Sequence, residues 1–407
     1  MDAVTRPRQE GERDSLAATG LLAPDYLDLA RTLAAVFAER AASYDKEGEF
    51  PHENWRDLVR SGYTAMTVPS DHGGGGAGLE TLCRAQQVLA AACGSTAFAI
   101  NMHVHGLAMI AAVLGDASDW IYRAVTADGA VIAGGFSEPG VGGNWWHPTT
   151  TATPAPGGYV LRGRKSFFTG FPGATLLFLT AALEDDRGIP QPVAFLVPRP
   201  EKGVSVERVW DAAGMRATGS HTIAIDDLFV ESRYLLGEPG DLALLFMGAV
   251  HWAWCSFSAV FAGIARGALD QVADSLRSRT VQVIGRSLAH LPGIQFKVAD
   301  METKLAAAEA YLYAAVRADH ESVADPLQHY IEMSLMKTTV CRLAHEAVTL
   351  AMQVQGGTAL LANSYLQRAY RDVTAGLLIP PMPDVVHEWA GKSALGVPVF
   401  AEPRWGG

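Results

Sequence analysis

Gly158-Tyr159-Val160-Leu161-Arg162-Gly163-Arg164-Lys165-Ser166-Phe167-Phe168-Thr169-Gly170 is the stretch on which the architecture turns. It begins with the β-forming Tyr159-Val160-Leu161 and sits among similar short runs: Val131-Ile132, Leu176 to Leu179, Val193 to Val197, Val204 to Val209 and Thr222 to Val230. Branched and aromatic side chains suit the pleated, half-buried surface of a sheet. Pro154, Pro156, Gly157-Gly158, Pro172-Gly173 and Pro190 punctuate most of the gaps, as turns require. No helical pattern intervenes, so the runs predict a small antiparallel barrel or sandwich.

Helical periodicity lies on both sides of this block. Before it, Leu29, Leu33, Val36 and Phe37 recur at helical spacing, as do Trp55, Leu58 and Val59 ahead of Gly62, and the pattern resumes from Glu80 to about Val113. After it, Val298, Met301, Leu305, Ala308, Leu312 and Val316 alternate three and four apart. Met336, Val340, Leu343, Ala347, Leu350 and Val354 do the same. Such stripes suit helices packed antiparallel in a bundle. Asp71-His72-Gly73-Gly74-Gly75-Gly76 lacks the Lys-Ser/Thr of a phosphate-binding loop and reads as a flexible turn. Helices, strands, helices: the order predicts an α+β chain, mainly α.

Composition narrows the function. The chain has 407 residues, 49% hydrophobic and 18% charged, which places it among globular proteins. A net charge of −11 without a dense Lys/Arg cluster argues against nucleic acid as a partner. Cys83, Cys93, Cys255 and Cys341 show no C-x-x-C spacing, so no metal site is expected and a reduced, cytoplasmic setting is. Met1 to Gly20 lacks the apolar core of a signal peptide and reads as a frayed terminus. Leu242 to Ile264 is almost wholly apolar and long enough for a bilayer. It has no companion span and no flanking positive cluster, so a buried bundle helix, and no membrane, is expected.

Five motifs in order give the chain a resemblance. Thr67-Val68-Pro69 with the glycine run is similar to "VPEEYGG", and Phe136-Ser137-Glu138-Pro139-Gly140-Val141-Gly142-Gly143-Asn144 to "TEPGAGSD". Gly163 to Gly170 is similar to "GxKxWITN", and Gly214-Met215-Arg216 with Asp227-Leu228-Phe229-Val230 to "GxRxS…DVxVP". Gln353-Val354-Gln355-Gly356-Gly357 with Arg371-Asp372 is similar to "QIxGGxGY…RD". Together they resemble the acyl-CoA dehydrogenase family from about residue 25 to 397. The resemblance implies a helical N-terminal domain over 21–128, a central β-barrel domain over 129–240 and a C-terminal four-helix bundle over 241–407. It implies FAD, with FMN the less expected flavin, and a homo-oligomer, usually a tetramer and otherwise a dimer.

The site residues it implies make chemical sense. Ser137 and Thr169 offer hydroxyls, with backbone N–H groups beside Phe136 and Thr169, to the polar edge of a flavin. Phe167 stands where the family commonly places a Trp against the ring, and an aromatic face there still stacks. Gln353, Gly356 and Gly357 resemble the loop that reaches a neighbouring subunit's adenosine end; a helix C-cap fits the two glycines equally well.

Several family residues are missing. The usual catalytic Glu lies nine residues beyond the "RD" arginine, which here is Pro380. The alternative Glu on the first C-terminal helix becomes Ala253, and its neighbouring Arg becomes Trp254. The acid associated with the pantetheine arm becomes His251, and "SD" becomes Gly143 and Asn144, followed by Trp145 and Trp146. The pyrophosphate-gripping Arg and Gln align with Val281 and Pro292, although Arg277, Arg279 and Arg286 are near. Gly143, Asn144 and Trp254 are therefore substrate-side candidates. Trp145, Trp146, Trp252 and Trp254 suggest an apolar or aromatic pocket, or ordinary core packing. Asp384, His387 and His251 are candidate bases, none of them preferred.

The first function this suggests is an FAD-dependent oxidoreductase that oxidises an acyl group carried by CoA or a carrier protein. The second is a flavin monooxygenase on the same scaffold, acting on a small or carrier-bound intermediate, since oxygen activation needs no base for an α-proton. A flavoprotein retired to binding is the third.

Overall fold

Asp25 sets the first helix, its carboxylate accepting from the N–H groups of Leu27 and Asp28. The computed structural model describes residues 25–114, 118–141, 147–239, 242–283, 285–320 and 323–399. Five helices come first: α1 (Tyr26–Glu47), α2 (His52–Arg60), α3 (Leu79–Ala92), α4 (Gly94–Leu114) and α5 (Asp119–Asp128). The glycine run between α2 and α3 is a packed turn. Gly75 and Gly76 donate to the carbonyls of Ala65 and Val68, and a Cβ on Gly75 would fall 2.2 Å from the Tyr26 hydroxyl.

The middle of the chain forms one sheet from β1 (Ile132–Gly135), β2 (Thr151–Ala155), β3 (Gly158–Phe168), β4 (Leu176–Glu184), β5 (Pro190–Pro198), β6 (Val204–Arg208), β7 (His221–Glu231) and β8 (Leu235–Leu236). Its order is β6-β7-β3-β2-β4-β5-β8, with β1 also on β4. Two pairings, β1 with β4 and β2 with β4, are parallel, so the sheet is mixed where an antiparallel one was expected. Among the described residues no pairing joins β6 to β8 and closes a barrel.

The parallel pairings matter for the site. β1 pairs with Leu176 to Leu179 of β4, and β2 with Ala182 and Leu183. The chain therefore leaves this edge of β4 after Gly135 and returns to it at Thr151. The excursion between carries Phe136, Ser137 and Glu138.

The C-terminal helices are α6 (Leu242–Ser278), α7 (Pro292–Val316), α8 (Pro326–Gln355), α9 (Tyr365–Leu378) and α10 (Pro383–Ala394). The predicted stripes are core: Met301, Leu305, Ala308 and Leu312 on α7, and Met336, Val340, Ala347 and Val354 on α8, are buried. α6 is apolar all round because it packs against α3 and α4 on one side and α7, α8 and α9 on the other. Its glycines permit this closeness, since a Cβ on Gly263 would meet the Gln87 carbonyl oxygen at 2.3 Å. Phe246–Ser278 is long and apolar enough to cross a membrane, but it is largely buried inside the protein.

Candidate active site

The site is built around an irregularity in β3. Its register against β7 shifts between Lys165 and Phe168, and Phe167 in the gap takes φ +55°. A bulky residue in left-handed backbone is strained, and a bulge re-aims its side chain. Phe167 is 56% exposed and meets Trp210 edge to face at 5.9 Å. Thr169 follows, bridged to Gly134 of β1. Its hydroxyl lies 2.9 Å from Ser220 Oγ, which lies 2.7 Å from Thr218 Oγ1. Thr218 donates to the Met215 carbonyl at 3.0 Å, fixing a short hydroxyl chain.

The excursion between β1 and β2 is pinned to β3. The Ser137 carbonyl accepts from Ser166 N–H at 2.8 Å. Beneath it, Lys165, with no exposed side-chain surface, forms an ion pair with Glu138 and donates to Thr180 Oγ1 at 2.7 Å. Glu138 also accepts from the Thr149 hydroxyl and N–H and from Thr150 N–H. Burial alone would raise Glu138, but the Lys165 ammonium and the threonine donors hold it below its ordinary range. Burial pulls Lys165 down to about 8 against the pull of Glu138, so both groups are charged at neutral pH.

These segments form one wall of a cavity of about 550 Å³, within the range of small-molecule and cofactor pockets. Phe136, Ser137, Phe167 and Thr169, brought together from two segments, all line it. Phe98, Met102, His105 and Met109 of α4 line it as well. Their four-three-four spacing was visible in the sequence, but a cavity stripe and a core stripe look alike there. Trp254, Ala253 and Pro380 also face the cavity. Both positions where the resemblance implies a glutamate thus lie in its wall, occupied by a methyl and a ring. No carboxylate is among the described lining residues; His105 and Arg371 are the titratable ones. Burial pushes His105 down to about 3, so its imidazole is neutral.

The other candidates lie elsewhere. Gly143 and Asn144, with Trp145 and Trp146, fall outside the described residues. Gln353, Gly356 and Gly357 are exposed at the end of α8, where Gly356 takes φ +71° as its C-cap, away from the cavity lining. Asp384 and His387 are exposed on α10, and His251, though buried, is not in the lining. Of the two described tryptophans of that set, Trp252 is outside the lining and Trp254 within it, because residues two apart on a helix face different ways.

Arg371 and Asp372 close the base of the site. Arg371 forks onto Asp45 of α1 at 2.5 Å and donates to the Ala213 carbonyl at 2.7 Å. Asp372 is buried and accepts from Met215 N–H at 2.6 Å. Burial pushes its carboxyl up to about 6, from 3.8. A carboxyl with a raised folded pKa favours folding below its unfolded pKa and loses that contribution as pH rises through the folded one. At about 1.4 kcal/mol per unit, Asp372 is expected to cost wild type roughly 2 kcal/mol between pH 4 and 7 relative to Asp372→Asn. Denaturant titrations across that range test this; parallel curves for the two proteins would refute it.

Family models for the N-terminal, middle and C-terminal domains of acyl-CoA dehydrogenase match residues 26–118, 133–228 and 255–378. The acyl-CoA dehydrogenase-like protein YdbM of Bacillus subtilis (strain 168) is 30% identical, covering 89% of this chain and 94% of its own. The chain belongs to the acyl-CoA dehydrogenase family. It is a flavin-dependent oxidoreductase of acyl-CoA dehydrogenase type, mainly helical around a central sheet. Two solved structures share the family fold. KijD3, in complex with FMN and a dTDP-linked amino-keto sugar, is 26% identical with a TM-score of 0.82, covering 92% of this chain and 93% of that one. FMN-bound TdsC from Paenibacillus sp. A11-2, a dibenzothiophene monooxygenase, is 24% identical with a TM-score of 0.83, covering 92% and 98%.

The residues present fit the family's flavin. The cavity has the volume, a re-aimed aromatic ring at Phe167, and hydroxyls at Ser137 and Thr169 beside it. Gly135 lets the backbone come close, since a Cβ there would touch the Phe168 ring at 3.0 Å.

Proposed function

We propose that this family member is an oxygenase, transferring one atom of O₂ to an apolar, ring-sized substrate held between α4 and the flavin face. The observation that carries this is the wall itself: Ala253 and Pro380 replace both family bases, and no described lining residue is a carboxylate. Flavin, when bound and reduced, supplies the two electrons by which O₂ gives one atom to substrate and the other to water. The chain's own residues do the rest. Phe167 would stack on the ring, while Ser137 and Thr169 would bond its edge. Phe98, Met102, Met109 and Trp254 exclude water and grip the substrate by apolar contact. His105 is neutral and supplies polarity without charge. TdsC shows that this fold accommodates a monooxygenase.

Oxidation of a thioester-borne acyl group is the second reading, favoured by the 30% identity to YdbM. It needs a base for the α-proton, and an imidazole pushed to about 3 is far too weak. Incubating the flavin-loaded protein with reductant and aromatic heterocycles in air, and separately, without air or reductant, with acyl thioesters and an artificial electron acceptor, separates the two. Oxygen-dependent products heavier by one oxygen atom are expected. Oxygen-independent loss of two hydrogens from a thioester would overturn the oxygenase.

A homo-oligomer also fits. Leu360 and Leu361, next to Gly356-Gly357, are 76% and 57% exposed, and Arg279 reaches the Gln355 carbonyl at 3.2 Å. This corner offers apolar surface, a charge and glycine backbone to a second copy carrying the far end of FAD. A reduced, cytoplasmic setting agrees with four free, buried cysteines.

A further inference from the structure

Three histidines from different segments meet outside the cavity lining. His251 comes from α6, His329 from the first turn of α8, and His320 from the segment between α7 and α8. One ring nitrogen of each lies within 4.8 Å of the others. His329 Nε2 and His251 Nδ1 are 3.4 Å apart. That is about the separation of two imidazole nitrogens bound to one tetrahedral ion through bonds of about 2.1 Å.

His320 supplies the decisive detail. Its Nε2 donates to the Ala315 carbonyl at 2.8 Å. The other nitrogen, Nδ1, is therefore a bare acceptor, and it is buried with no hydrogen-bond partner. A backbone carbonyl that fixes the tautomer and leaves the second nitrogen free is the outer-shell arrangement of metal-bound histidines. A buried unpaired acceptor is costly unless something fills it.

We propose that His251, His320 and His329 bind one divalent transition-metal ion of the zinc or cobalt class, with water completing the shell. Closing the set requires the His320 ring to move about an ångström and turn out of its stack on His251, whose centroid is 4.0 Å away. Burial lowers all three histidines, leaving them neutral and ready to ligate at neutral pH. The ion clamps α6 to α8 one helical turn from Trp254, so its binding is felt at the cavity wall.

The test uses tag-free, chelator-treated full chain carrying its flavin, titrated with Zn²⁺ by calorimetry and with Co²⁺ by difference absorption. One ion per chain is expected, with the visible bands of four-coordinate Co²⁺ and a raised thermal midpoint. His320→Ala and His329→Ala each weaken binding by about 100-fold and abolish the metal-dependent rise, while the exposed His387→Ala changes neither. His320 is half-buried and outside any helix, so its variant folds and isolates the metal effect. Failure to take up either ion at millimolar concentration, or uptake that survives both substitutions, overturns the site. Flavin content and oxygenation, read in the same samples, report separately on the proposed activity.

Discussion

Lys165→Met is expected to destabilise the protein by about 3–5 kcal/mol and to release its flavin, the largest effect of any single change near the site. The substitution keeps the length of the stem but leaves the Glu138 carboxylate buried with only threonine donors. An uncompensated buried charge costs more than the intact pair contributes. The double variant Glu138→Gln, Lys165→Met should therefore be more stable than the single one. Denaturant unfolding with flavin fluorescence as a second signal measures both effects. A single variant within 1 kcal/mol of wild type, with its flavin retained, would show that the pair does not hold the excursion.

Gly214→Ala is expected to lower the thermal midpoint by roughly 5 °C or more and to reduce flavin occupancy. An added Cβ would lie 2.1 Å from the Arg371 carbonyl oxygen and 3.1 Å from the Asp372 N. Both are backbone atoms of α9, so no side chain can swing aside. The segment from Ala212 to Met215, which lines the cavity, would have to lift off α9 and strain the Met215 N–H bond to Asp372. Gly248→Ala on α6, with no atom within 4 Å of the new methyl, is the matched control and should be neutral or slightly stabilising. Equal midpoints for the two variants would mean that the approach of this segment to α9 is not tight.

Much of the site was legible before any coordinates. Ser137, Phe167 and Thr169 were readable as candidates because each belongs to a motif of fixed spacing, and all three line the cavity. Ala253 and Pro380 were readable too, since they fall at the counted positions where the resemblance expects a glutamate. Other residues were not legible. Met102, His105 and Met109 line the cavity on a helix whose faces are all apolar, so no period separates the pocket side from the core side. Glu138 and Lys165 looked like motif letters until folding buried them together. Trp252 looked like a partner of Trp254 until the helix turned it away.

By itself the sequence determined the order of elements and the family, and put Ala253 and Pro380 at the positions where the resemblance expects a glutamate. These follow from local periodicity, turn residues and motif spacing, which are properties of neighbours along the chain. Only the tertiary structure decided that the segments after β1 and at the end of β3 line one cavity with α4, and that three histidines from 251, 320 and 329 meet. Contacts between residues tens or hundreds of positions apart depend on how helices and strands pack. Packing optimises the burial of whole faces, and no short window of sequence records which faces will meet.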